Sequence, residues 1–264
     1  PRVTMMAGRQ AELLDAGLSW GSGDHQLRLG HVKIMLTMST GALHPSLEEF
    51  SEIAAEAIGS GFPIAVHCVE QEAVKAAAQV IVGLPPLSAG VPPHRIEHCS
   101  ECPPDVLEMV RASGAAVVTQ PGFIHWNGPS YRKNVAESMQ PHLYPIGPLD
   151  AAGVNVAFGS DTPVINPNPW PAIYSAVTRK DREGEHLPKS GEQVGISAEW
   201  NLRMHTLAGA RSEGTQTDKG SITPGKLADL ILVDANPLTI HSEGLKDIKP
   251  KMTIIGGKVV WEGR

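Results

Sequence analysis

No apolar run in the 264-residue sequence approaches the ~20 residues that cross a bilayer, so no membrane span is expected. The first ten residues, PRVTMMAGRQ, hold no long apolar stretch and no small-residue cleavage site, so they do not read as an export signal. Cysteine is scarce. Cys68, Cys99 and Cys102 are the three present, an odd number that argues against a disulfide framework and for a reducing compartment, the cytoplasm. Excess basic charge is missing too, since 22 Lys and Arg stand against 28 Asp and Glu, a net charge of −6. Without a Lys/Arg cluster to neutralise phosphates, nucleic acid is not an expected partner. No Gly-x-Ser-x-Gly elbow occurs, which removes the usual serine-hydrolase reading. Nor is there a phosphate-cradling loop: WGSGD at 20–24 lacks the Lys-Ser/Thr that should follow. A chain that opens on Pro1 is expected to be trimmed or a fragment.

What is present suits a folded α/β protein. Apolar residues make up 41% and charged residues 19%, enough for a sizeable core. Strand-like and helix-like stretches alternate. Residues 3–7, 32–36, 63–67, 95–98, 115–119 and 154–159 read as short apolar strands. Between them, 10–18, 46–60, 70–82 and 104–113 read as helices, and 171–178 begins another. Ser46 is the N-cap candidate of the second helix, with Glu48 and Glu49 in its first turn. Such alternation predicts a parallel sheet with helical crossovers. Several strands end in or near a polar residue: His67, His98, Gln120 and Asp161. Functional groups gathered at the C-terminal ends of parallel strands are the mark of a (β/α) barrel's active face. From about residue 215 the pattern changes to a strand at 228–233 and a hairpin, 252–255 and 258–261, around Gly256-Gly257. The expected domains are therefore a partial barrel over 1–214 and a β appendage over 215–264. Six barrel strands are visible where closure needs eight.

Each ionisable group at the strand ends has a plain reading and a chemical one. A lone His67 or His98 closing a buried strand is commonly a satisfied core residue. Together with Asp161, however, they put two imidazoles and a carboxylate on one rim, a donor set suited to zinc. Lys33 lies inside the apolar strand VKIML. It either snorkels to solvent or, carboxylated on its amine, becomes a metal ligand. Gln120, His125, Trp126, Asn127 and Tyr131 fall in a predicted loop after the fifth strand. They would either recognise a planar or amide-bearing substrate or pack the loop upon itself. Cys99-x-x-Cys102 has no second such pair, which argues against a zinc ribbon, and a redox role stays open.

The stretches GHVKIMLTMSTGALHPSLEEF, GFPIAVHCVEQEAV, HRIEHCSECPPDVL, AAVVTQPGFIHWNGPSY, YPIGPLDAAGVNVAFGSDTPV and GSITPGKLADLILVDANPL, in that order, resemble the metal-dependent amidohydrolase superfamily, specifically its family 3 branch. The resemblance implies a (β/α)8 TIM-type barrel, incomplete here at about six strand–helix units, with part of a small β-sandwich at the C-terminus. It implies hydrolysis of C–N bonds in amides, cyclic amides or amino-substituted rings. It places Lys33, His67, His98 and Asp161 as ligands of one or two divalent ions, zinc foremost. It makes Asp161 and His98 the expected catalytic pair, with Gln120, His125, Trp126 and Asn127 the candidate substrate-binding residues. The superfamily's His-x-His signature is absent, because no two of the eleven histidines are separated by one residue. The expectation is therefore a small-molecule hydrolase that is weak or inactive as this chain alone, with its metal incompletely held. The alternative is a non-catalytic remnant or interaction module. An open barrel exposes strand edges, so a homo-oligomer or swapped dimer is expected.

Overall fold

A computed structural model describes residues 3–8, 10–188 and 196–263. In chain order the elements are β1 (Val3–Ala7), α1 (Gln10–Asp15), β2 (Leu27–Met35), α2 (Leu47–Gly59), β3 (Ile64–Cys68), α3 (Gln71–Gly83), β4 (Arg95–His98), α4 (Pro104–Ser113), β5 (Ala116–Thr119), α5 (Gly122–Asn134), α6 (Ile146–Ala151), β6 (Val156–Phe158), α7 (Pro169–Thr178), α8 (Ala198–Arg203), α9 (Gly209–Ser212), β7 (Leu230–Val233), β8 (Pro250–Ile255) and β9 (Lys258–Glu262). They fall into two compact units that interleave along the chain. The first comprises Pro1–Thr119, His142–Val156 and Arg211–Gly214; the second comprises Gln120–Pro141, Ala157–Ala210 and Thr215–Arg264.

Strands β1 to β6 form one sheet in sequence order, and the pairs from β1 through β5 are parallel. Among the described residues β1 and β6 do not pair, so the barrel is incomplete. Register assigns its two faces, because partners in a parallel ladder point the same way and neighbours along a strand point oppositely. One face carries the row Ile34–Val66–Ile96–Val117. All four are buried, as expected of a face covered by crossover helices. The opposite face carries Lys33–Ala65–Arg95–Ala116 and, two residues on, Met35–His67–Glu97–Val118. In these rows the ionisable groups, Lys33, Arg95, His67 and Glu97, all fall on the face that lines a barrel.

The helices of the first unit form where the sequence supplies caps and stripes. Ser46 Oγ accepts the Glu49 N–H at 3.2 Å while the Glu49 carboxylate accepts the Ser46 N–H at 2.9 Å, a reciprocal cap on α2. Phe50, Ala54 and Ala57, at helical spacing, form the buried stripe of α2. Helix α4 starts on Pro104 and stops at Gly114, whose φ of 68° suits glycine.

In the second unit Trp170, Ile173 and Tyr174 of α7 pack with Leu245 and Ile248. The Tyr174 hydroxyl donates to the Glu243 carboxylate at 3.1 Å, and Lys180 Nζ meets the same carboxylate at 2.6 Å. Strands β7, β8 and β9 form an antiparallel sheet, with the last two joined through Gly256 and Gly257 at φ 57° and 78°. Among the described residues no helix is long and apolar enough to cross a membrane. The predicted loop carrying His125, Trp126 and Asn127 is helix α5, a correction to the sequence reading. Its glycines and Pro129 hide the helical period, but Phe123, Ile124 and His125 are buried all the same.

Candidate active site

His67 closes β3 on the barrel-lining face, half-buried and in register with Glu97. Strict alternation would send the residue after Glu97 to the opposite face, in register with Cys68. His98 escapes this. Its φ is 72° and that of Cys99 is 50°, so the backbone turns left-handed as β4 ends. The Cys99 N–H holds the turn through the carbonyls of Glu97 at 3.0 Å and Cys68 at 3.2 Å. As a result the His67 and His98 rings meet edge to face, with centroids 4.5 Å apart and planes at 74°.

Lys33 is half-buried on the same face, opposite Ala65, one row back from His67. Two residues along a strand amount to about 6.6 Å, so its row is a neighbour of the imidazole row rather than part of it. Asp161 belongs to the second unit, just past β6, exposed and at φ 55°. Its carbonyl accepts the Val164 N–H at 2.9 Å.

Arg95 and Glu97, which apolar patterning does not mark, also lie on this face. Arg95 Nε donates to Glu97 Oε1 at 2.7 Å, and both side chains are buried beneath the histidine pair's rim. The signal was in the sequence: Arg-Ile-Glu places both charges on one face of a strand. Behind this face the Cys68 thiol is pushed well up, first by burial and then by the Glu97 charge. The Cys99 thiol is raised as well, by its hydrogen bond with Cys102 and by burial.

Gln120 is buried immediately before α5. His125 is buried on α5, its ring 5.0 Å from that of Trp126 and 6.0 Å from that of Tyr174. Burial lowers its pKa against a smaller upward pull from Asp181. Trp126 and Asn127 are half-buried on the same helix.

The donor chemistry fits a divalent ion in part. Two imidazoles, which zinc takes readily, stand together at the rim. No group of three or more His, Cys, Asp or Glu among the described residues is spaced to hold one ion. Among the described residues the histidine pair is thus not joined by a third donor.

A family model for the amidohydrolases matches residues 2–261, and the chain belongs to that family. It is 25% identical over 224 residues to an N-substituted formamide deformylase of Arthrobacter pascens, covering 84% of this chain and 41% of that protein. It is 29% identical over 131 residues to a 5-methylthioadenosine/S-adenosylhomocysteine deaminase of Caldanaerobacter subterraneus, covering 46% of this chain and 29% of the deaminase. Among solved structures it resembles an uncharacterized metal-dependent hydrolase from Pyrococcus horikoshii, with TM-score 0.71 and 24% identity, over 88% of this chain and 50% of that one. The chain thus spans about half the length, or less, of these relatives.

Proposed function

We propose that the protein is a hydrolase of C–N bonds, in which His67 and His98 hold a divalent ion, zinc by preference, and Asp161 moves the proton. The meeting of the two imidazoles at the strand-end rim carries this reading. Support comes from the family, whose members here include a deformylase and a deaminase. A divalent ion held by His67 and His98 would make water more acidic, towards a pKa of about 7. The Asp161 carboxylate accepts the proton of the attacking water. As the new C–O bond forms and the C–N bond breaks, Asp161 returns that proton to the leaving nitrogen. The Arg95–Glu97 pair holds the floor under the histidines, and Lys33 joins as a ligand once its amine is carboxylated. Gln120, Trp126 and Asn127 contact the substrate, and His125 orients α5. The unclosed edge of the sheet pairs with a second polypeptide, as a swapped dimer would.

A second reading, a non-catalytic module of the same fold, draws on the pair having no third donor among the described residues. Metal analysis of the purified 264-residue chain, expressed with added zinc, separates the two. The hydrolase reading expects about one zinc per chain, lost in His67→Ala and in His98→Ala. Zinc-free protein, or zinc that both variants retain, overturns it in favour of the second.

A further inference from the structure

Within the second unit a cavity of about 230 Å³ opens among Gly122 and Trp126 of α5, Phe158 and Ser160 at the end of β6, Ile165 and His205. Drug-sized ligands need roughly 300–1,000 Å³, whereas an engineered apolar cavity of about 150 Å³ takes a benzene. The space therefore suits one ring-sized group rather than a whole ligand. Among the described residues no Asp, Glu, Lys or Arg lines it. A charged group would lose its hydration there without a partner, which excludes it.

Most of the polar lining is already engaged. The Ser160 hydroxyl bonds that of Thr162 at 2.8 Å, and the Asn168 side chain accepts the Trp170 N–H at 3.2 Å. His205 differs. It sits on the π-helical turn Met204–Ala208, its ring 5.2 Å from that of Phe158, with Nε2 buried and without a hydrogen-bond partner among the described residues. A buried nitrogen left unpaired is unfavourable, and a ligand that bonded it would remove that cost. Burial holds the His205 pKa down to about 4, so the imidazole is neutral at ordinary pH and can present a donor or an acceptor. Gly122 keeps the wall in place: a Cβ there would stand 2.5 Å from Ile165 Cδ1 and drive that side chain from its seat.

We propose that this cavity binds one planar, uncharged group, an aromatic ring bearing an amide-like polar edge, against Trp126 and Phe158, with His205 Nε2 making the hydrogen bond. Asp161 follows Ser160 in the chain, so under the hydrolase reading the bound group neighbours the proton-transferring carboxylate. That link rests on the proposed function; the binding itself does not.

The test is ligand-observed NMR on the full chain in EDTA, so that loss of metal or activity leaves it intact. The probes are benzamide, toluene and benzoate. Benzamide should bind about tenfold more tightly than the other two. His205→Phe should erase benzamide's advantage over toluene, and His205→Gln should keep it within about threefold. Gly122→Val and Trp126→Ala should weaken both neutral probes, with circular dichroism verifying that each variant is folded. Equal binding of the three probes, or a benzamide preference that survives His205→Phe, overturns the assignment. So does unchanged binding in both folded wall variants.

Discussion

Removing Glu97 should be among the most destabilising single changes in the protein. Its carboxylate sits 2.7 Å from Arg95 Nε, with side chains only 6% and 10% exposed. At an effective dielectric of about 20 the pair's attraction is roughly 6 kcal/mol. Desolvating two ions costs several kcal/mol each, so against an apolar pair the net is near zero. The asymmetry lies in the single variants. Glu97→Ala leaves a buried guanidinium without its counter-ion, at a cost of about 3–5 kcal/mol. Arg95→Met, Glu97→Met together should fall within about 1–2 kcal/mol of the parent, because neither charge is then stranded. Urea unfolding followed by circular dichroism, with all variants analysed at a shared m-value, reads both. A Glu97→Ala loss below about 1 kcal/mol, or a double variant worse than the single, would refute the idea that the pair is held by mutual neutralisation.

Acid should unfold the protein through its buried neutral histidines. His94 accepts the Ile64 N–H on Nδ1 at 3.3 Å, and burial pushes its pKa, like that of His205, down to about 4. Both are neutral when folded and bind protons near 6.5 when unfolded, so stability is full above pH 6.5 and falls as pH drops towards 4. Each should cost about 2 kcal/mol between pH 7.5 and 5, and urea midpoints in His94→Gln should show a shallower pH slope than the parent. Gly128→Ala should destabilise although alanine is the better helix former by about 1 kcal/mol, because its Cβ would stand 2.5 Å from Asp181 Cβ; a raised melting temperature would refute this. Native protein should not react with a thiol reagent such as DTNB, since Cys68, Cys99 and Cys102 are at most 1% exposed. All three should react in guanidinium, and rapid native labelling of Cys99 or Cys102 would restore the redox reading.

Much of the parallel sheet could be read from apolar runs because β3 to β6 are buried along nearly their whole length. The predicted strands at 3–7 and 95–98 coincide with β1 and β4 to the residue, and capping chemistry alone marks Ser46. Helix α5 was not legible. Gly122, Gly128 and Pro129 break the periodic signal, and the helix is held instead by tertiary contact: Arg132 pairs with Asp181, and Gly128 lies against the same residue. His67 and Lys33 share a face by simple alternation. The pairing of His98 with His67 could not be obtained that way, since the period of two predicts the wrong face for His98. It depends on a left-handed backbone that no apolar pattern encodes. His205 gave no local signal either, because its surroundings come from α5 and from the end of β6.

The same left-handed turn yields a test that separates backbone from side chain. Alternation in β4 commits Arg95 and Glu97 to the lining face, so only a reversal after Glu97 can return an imidazole to that side. His98 accomplishes this at φ 72°, where a residue with a Cβ carries about 1–2 kcal/mol of strain that glycine does not. In regular strand or helix, glycine is the less stable choice by roughly 0.5–1 kcal/mol. Here the order should invert: His98→Gly should be more stable than His98→Ala by about 1 kcal/mol, although both delete the same buried ring and leave similar space. Both should lose zinc alike. If alanine is the more stable of the two, the turn does not hold His98 left-handed in solution, and the route by which β4 delivers its imidazole to His67 is wrong.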